Sequence, residues 1–297
     1  MSYNRHVVWQ INYSFFIPLI LSIVSQGLFA QGILDGYMKG KGKLDIAISY
    51  AFEESNEYYK GIELSSVLTT VNSGGVFAAY GISDDFDMLF SAPYVTINDA
   101  GGLQDGGLYG RYKVLEKVKN KSTSRWMIGG GVNTPLSNYE LDSLGAVGLQ
   151  VTSFDARSIF QYENSGAFIQ FQTGFIWRYD FFNDGITHEV PNFFPISLKV
   201  GGASASTYFD IWLDIIAPIG GLDDNNINRP PLQTFATAYT KVGGTLYFTI
   251  SDSFGIVVNA ATTLNGRNTI KSTRGGIGLI FKFNFIQISN SPDSFQP

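Results

Sequence analysis

The stretch Gly276-Ile277-Gly278-Leu279-Ile280-Phe281-Lys282-Phe283-Asn284-Phe285 decides the fold. Strand side chains alternate with period two, so Ile277, Leu279, Phe281, Phe283 and Phe285 fall on one face. Gly278, Ile280, Lys282 and Asn284 fall on the other. An apolar row ending in aromatics, backed by a lysine and an asparagine, suits a strand with lipid on one side and water on the other. A soluble sandwich strand would alternate in the same way. The choice rests on whether the rest of the chain repeats the pattern, and in what arrangement.

It does repeat. Lys43 to Phe52 sets Leu44, Ile46, Ile48, Tyr50 and Phe52 against Lys43, Asp45, Ala47 and Ser49. Phe86 to Tyr94 sets Met88, Phe90, Ala92 and Tyr94 against Asp87, Leu89 and Ser91. Ala167 to Tyr179 sets Ile169, Phe171, Phe175, Trp177 and Tyr179 against Gln170, Gln172 and Arg178. Eight further segments between Val71 and Thr263 read the same way and, with the closing stretch from Ile270, bring the expected count to about twelve strands.

The connections then fix the arrangement. Long ones are expected at 53–70, 95–106, 135–148, 180–194 and 218–236. Short ones are expected at 83–85, 116–123, 163–165, 203–206 and 251–253. Strict alternation puts all long loops on one rim and all short turns on the other, as in outer-membrane barrels with short periplasmic turns and long extracellular loops. Greek-key sandwiches give no reason for such regularity. The expected fold is therefore all-β: a single antiparallel transmembrane β-barrel over residues 43–285.

Composition agrees. Charged residues are 15% of 297 and aromatics 15%, and 33 glycines make about 11%, where ordinary soluble chains hold roughly 25% charged and 7% Gly. A net charge of -5 argues against a nucleic-acid partner. With no cysteine, disulfides, thiolate metal sites and Cys nucleophiles are excluded together.

Arg5 and His6 precede the apolar run Phe15–Val24, and Ala30 follows it. This reads as a secretory signal over residues 1–30, cleaved before Gln31, rather than as a membrane anchor, for which the run is too short. Residues 31–42 read as a short periplasmic N-terminal tail and 286–297 as a C-terminal tail. No later apolar run reaches 18 residues, which excludes a helical membrane protein.

The polar strand faces would form the lumen. They supply Asp45, Asp87, Arg111, Arg125, Asp155, Arg157, Arg178, Lys199, Asp210, Asp214, Lys241 and Lys282, with Lys43 and Lys113 beside them. A Lys or Arg on the lipid face at mid-depth would cost roughly 2–4 kcal/mol. Two roles compete for the set. The members could pair across neighbouring strands, Lys199 and Lys241 flanking Asp210 and Asp214, and Lys282 meeting Asp45 at the closing seam. They could instead line a solute path. The first role is the ordinary one for any single residue, and some members would line whatever path exists.

Enzyme signals are poor. His188 is the only histidine after the signal and sits between Thr187 and Glu189 in a loop, whereas a Ser-His lipid hydrolase needs its His on a wall strand near a Ser. Gly129-Gly130-Gly131 lacks the Lys-Ser/Thr of a phosphate loop and reads as close strand approach. The run Leu222 to Asn226 has oxygen ligands but no EF-hand spacing, so it reads as a solvated loop. No metal or cofactor is expected.

Several segments resemble the bacterial MetA-pathway of phenol degradation family of outer-membrane transporters. They are Ala79–Asp87 with Ala92-Pro93-Tyr94, Gly107–Tyr112, and Gly129–Pro135 followed by Ser153-Phe154-Asp155. The resemblance implies a barrel that passes small hydrophobic or aromatic compounds. It transfers no catalytic or binding residue. A passive channel is the leading expectation. A structural or adhesive barrel with a closed lumen and partner-binding loops is the alternative, and a lipid-modifying enzyme ranks third. The expected location is the bacterial outer membrane. The expected partners are its lipids, the barrel-assembly machinery reading Phe285, and a small solute that the sequence leaves unnamed.

Overall fold

The computed structural model describes residues 34–98, 100–138, 150–183, 185–224 and 231–285. The expected signal (1–30) and C-terminal tail (286–297) lie outside the described residues. The chain forms β1 (Lys43–Lys60), β2 (Glu63–Gly81), β3 (Phe86–Ile97), β4 (Ala100–Leu103), β5 (Asp105–Lys119), β6 (Ser122–Pro135), β7 (Ser153–Asn164) and β8 (Ala167–Arg178). It continues through β9 (Phe181–Asn183), β10 (Ile186–His188), β11 (Asn192–Ala203), β12 (Thr207–Ile219), β13 (Ala238–Ser251), β14 (Phe254–Arg267) and β15 (Thr269–Asn284). Every pairing in the wall is antiparallel, and β1 pairs with both β2 and β15 while β2 also pairs with β3. The sheet therefore closes on itself as a twelve-stranded barrel, with β4 and β5 acting as one strand interrupted at Gln104. Closure leaves no edge, which hydrocarbon requires. Among the described residues no helix is long and apolar enough to cross a membrane; the crossing is by strands.

The closing seam joins the opening stretch of the argument to the first strand: Ile46 faces Phe281, Ile48 faces Leu279 and Tyr50 faces Ile277. These six share the outer face, and Phe90, Phe171, Leu198, Phe209 and Leu246 continue it, all exposed from the protein. Aromatics gather toward the rims, with Tyr80 edge-on to Phe285 at one end and Phe154 edge-on to Tyr179 at the other. The inner face carries the buried residues, including Ala79, Leu89, Tyr109, Met127 and Ile159.

Two expected loops are strand instead. Residues 53–70 complete β1 and β2, 18 and 19 residues long, around a tight turn at Gly61, whose φ is 55°. About 9–11 residues suffice to cross the hydrocarbon, so this hairpin stands well clear of it. Once past lipid, a strand's outward side chains need not be apolar, and bulges around Glu54–Glu57 shift the parity as well. Residues 95–106 likewise hold the end of β3, a turn, β4 and the start of β5. The expected loop at 180–194 carries the small β9–β10 hairpin, which includes His188. Parts of the two remaining long connections, 139–149 and 225–230, lie outside the described residues.

Candidate functional site: the lumen and its internal segment

Residues 34–42, expected to hang below the barrel, run inside it. Gly42 and Gly40 start at the rim against β2, where the Gly42 amide donates to the Gly81 carbonyl at 2.8 Å. Lys39 then spans two strands: its amide donates to Asp87 at 3.0 Å and its ammonium to Asp45 at 2.7 Å. Tyr37 crosses to the opposite wall and packs edge-on to Phe168 and Tyr208, with centroids at 5.6 and 6.1 Å. Gly36 lies against the amide ends of Gln161 and Gln170, which would have to shift to admit a side chain there. Asp35 returns to Arg111, and Leu34 packs among Ala79, Leu89, Tyr109, Met127 and Ile159. A Cβ on Gly129 would come 2.6 Å from the Leu34 side chain. The close approach read from the glycine triplet is thus made, at Gly129, by the chain's own N-terminal segment.

Arg111 is the anchor. It is fully buried, donates to Asp87 at 2.6 Å and to the Asp35 carbonyl at 2.8 Å, and pairs with the Asp35 carboxylate. Burial pushes the Asp35 carboxyl up, but Arg111, Lys39 and the Tyr37 amide outweigh it and hold it below its ordinary value of 3.8.

All twelve candidate residues lie on the inner face, and their partners divide as follows. Asp155 pairs with Arg157 at 2.7 Å, and Lys199 with Asp210 at 3.4 Å, where the Tyr208 hydroxyl also donates at 2.6 Å. Arg125 sits at the rim between Glu116 and Glu163, at 2.6 and 3.1 Å. A bulge between Lys113 and Leu115 is what turns Glu116 inward to meet it. Arg178 lies over the Phe193 ring at 4.7 Å and donates to the Pro191 carbonyl at 3.3 Å. Asp214 faces Lys241 in the ladder, as Asp45 faces Lys282 at the seam. The second pair does not close into an ion pair: Lys282 sits over the Tyr247 ring at 4.8 Å, and Asp45 takes Lys39.

Four further residues belong to the set. Glu53 and Arg274 point inward from β1 and β15, and Asp35 and Lys39 come from the internal segment. The parity that places Lys282 inward also places Arg274 inward, so that signal was available. Glu53 was hidden by reading its stretch as loop. Above the internal segment lies a cavity of about 490 Å³, with Val71, Phe77, Val95, Val257 and Ile280 among its lining beside Asp45, Glu53 and Arg274.

At the far rim Asn268, at φ 48°, joins three connections. It accepts from the Gly61 amide at 2.8 Å and the Asp224 amide at 3.1 Å, and it donates to the carbonyls of Leu222 and Ala236. Asp223 beside it holds Arg267 at 2.6 and 2.8 Å, which draws the Asp223 carboxyl below its ordinary value. Among the described residues no three His, Cys, Asp or Glu side chains converge as a metal site.

A closed wall, an apolar exterior and a charged interior define the class: a transmembrane β-barrel of the outer-membrane type. A crystal structure of an outer membrane channel from Pseudomonas putida F1 matches it with a TM-score of 0.67, at 14% identity, over 84% of this chain and 100% of that one. The NanC porin matches at TM-score 0.49 and 13% identity over 81% of this chain and all of that one, and the KdgM porin at 0.46 and 7% over 80% and 99%. No family model and no curated protein matches the sequence. At these identities the likeness concerns the fold.

Proposed function

We propose that the chain is an outer-membrane channel for passive uptake of small molecules, obstructed at one end by its own residues 34–42. The observation that carries this reading is the cavity of about 490 Å³ that lies between the wall and that segment. Small-molecule sites typically span about 300–1,000 Å³. Its lining mixes apolar side chains with Asp45, Glu53 and Arg274, which suits small hydrophobic or amphipathic solutes. The resemblance to the MetA-pathway of phenol degradation family and the Pseudomonas putida channel's fold both support a transporter. The same reading makes residues 1–30 a cleaved signal, Phe285 the aromatic read during assembly, and the inner-face charges the lining of the path.

The test is uptake by proteoliposomes. Refolded protein should admit small aromatic solutes faster than protein-free vesicles, with a size cut-off well below that of a general porin. Absence of uptake across aromatic, nucleoside and sugar solutes would overturn the channel reading and favour a closed structural barrel.

A further inference from the structure

One connection at the short-turn rim differs from the rest. The others read Ser83-Asp84-Asp85, Glu163-Asn164-Ser165, Ala203–Ser206 and Ser251-Asp252-Ser253, all neutral or acidic. β5 and β6 instead run on through most of the stretch expected as a turn, and reverse at Asn120 and Lys121, with Asn120 at φ 54°. Pairing of β5 with β3 ends at Tyr112, so beyond Lys113 the hairpin stands clear of its neighbour on that side. Its end carries Lys117, Lys119 and Lys121, all exposed.

No anion of the protein claims these three. The nearby acids are already paired: Glu116 with Arg125 at 2.6 Å and Lys113 at 3.4 Å, Glu163 with Arg125 at 3.1 Å, and Asp85 with Lys113 at 3.0 Å. Among the described residues the ammonium groups of Lys117, Lys119 and Lys121 enter no ion pair or hydrogen bond. Lysine also guards exposed strand edges, but charge of either sign serves that purpose.

The register shows on which side of the wall they emerge. Lys117 faces Ser124 and Lys119 faces Ser122, with the same parity as Leu115 and Trp126. Trp126 stacks on Phe160 at 5.8 Å, and Tyr162 follows on the same outer face, an aromatic group of the kind that marks a membrane interface. Two residues of strand advance about 7 Å, or roughly 5 Å in depth at a tilt of about 40°. Each headgroup layer is roughly 5–7 Å thick. With Leu115 and Trp126 at the edge of the hydrocarbon, Lys117 stands among the headgroups. Lys119 and Lys121 stand just beyond them, where their stems can bend back to phosphate.

We propose that the tip of the β5–β6 hairpin is a docking surface for anionic phospholipid headgroups of the periplasmic leaflet. The three ammonium groups meet the phosphates from the water side, while Leu115 and Trp126 pack on the first acyl carbons. Each lysine near an anionic surface contributes roughly a factor of five in affinity. The proposal rests on the reading that puts the short turns in the periplasm. Lipid selectivity is measured with no solute, so lipid docking and transport fail separately.

The test uses the folded barrel in lipid vesicles with Trp126 as its only tryptophan, made by Trp9→Phe, Trp177→Phe and Trp212→Phe. Quenching by acyl-brominated phosphatidylglycerol is compared with quenching by acyl-brominated phosphatidylcholine. Phosphatidylglycerol should be preferred about five-fold or more at low salt, and the preference should vanish near 1 M salt, where the Debye length is about 3 Å. A companion barrel that keeps only Trp177, near the opposite rim beside Tyr179, should show no such preference. Lys117→Gln, Lys119→Gln and Lys121→Gln together should abolish the preference at Trp126, and the three changes to Glu should invert it. Lys117→Gln alone should weaken it and serves if the triple variants fail to fold, as does the salt titration on the unaltered tip. Equal quenching by the two lipids at Trp126, or a preference that survives salt or removal of the lysines, would overturn the proposal. Aggregation of the lysine-free barrel with its lipid preference unchanged would overturn it in favour of edge protection.

Discussion

Replacing Asp35 with alanine tests whether the internal segment is held as described. The variant loses the ion pair to Arg111 and the acceptor of the Tyr37 amide at 2.9 Å, while Arg111 keeps Asp87 at 2.6 Å. The wall should therefore stay intact. A hydrogen bond to a charged group contributes about 1.5–3 kcal/mol. The Asp35 side chain is 37% exposed, so solvent screening favours the lower part of that range. At ~1.4 kcal/mol per factor of ten, the undocked population should rise roughly ten- to hundred-fold. Hydrogen exchange by mass spectrometry reads this directly at the amides of Tyr37, Lys39 and Lys41, each of which donates to an aspartate in the docked state. Exchange there should accelerate by the same factor, with wall amides unchanged. An unchanged rate in a folded variant would refute the docking energetics.

Four other outcomes follow from the same contacts. Arg111→Met leaves the fully buried Asp87 without its cation, a loss of about 3–5 kcal/mol that should appear as a lower urea midpoint or failed refolding. Because the Asp35 carboxyl is lowered by docking, its stabilisation is complete above the ordinary 3.8 and is lost as pH falls through the depressed value. Exchange at Tyr37–Lys41, corrected for the intrinsic pH effect, should stay flat from neutrality to about pH 5 and rise only below about 4, and Asp35→Ala should lack that rise. Phe171→Lys on the lipid face should cost about 2–4 kcal/mol in a reversible folding titration, and Gln170→Lys, one residue away on the inner face, far less. Asn268→Ala removes the acceptor of two amides and the donor to two carbonyls, about 0.5–1.5 kcal/mol each. Cleavage within the 220–237 connection should become faster, with barrel mobility on gels unchanged.

The wall was legible because lipid itself imposes the alternation: wherever Phe or Ile recurs every second residue, its neighbours had to face water. The same cause explains the errors. Glu53 to Thr70 lies largely beyond the lipid, so its apolar residues (Ile62, Leu64 and Leu68 outside, Tyr58 and Tyr59 buried) keep no unbroken alternation and the stretch reads as loop. The internal segment has no period at all, since a chain crossing a lumen meets a different wall at each residue. Only Leu34, Tyr37 and Met38 among its glycines and lysines hinted at burial. The inner charges were found by parity, but their partners were not, because Lys39 arrives from outside the ladder and takes the Asp45 that register alone would assign to Lys282.

Single-channel conductance in planar bilayers, comparing the intact barrel with a chain lacking residues 34–41, bears most directly on a lumen closed by its own segment. The account predicts small or rare openings for the intact protein and larger, sustained steps for the shortened one. Equal conductance in two folded proteins, or none in either, would contradict it.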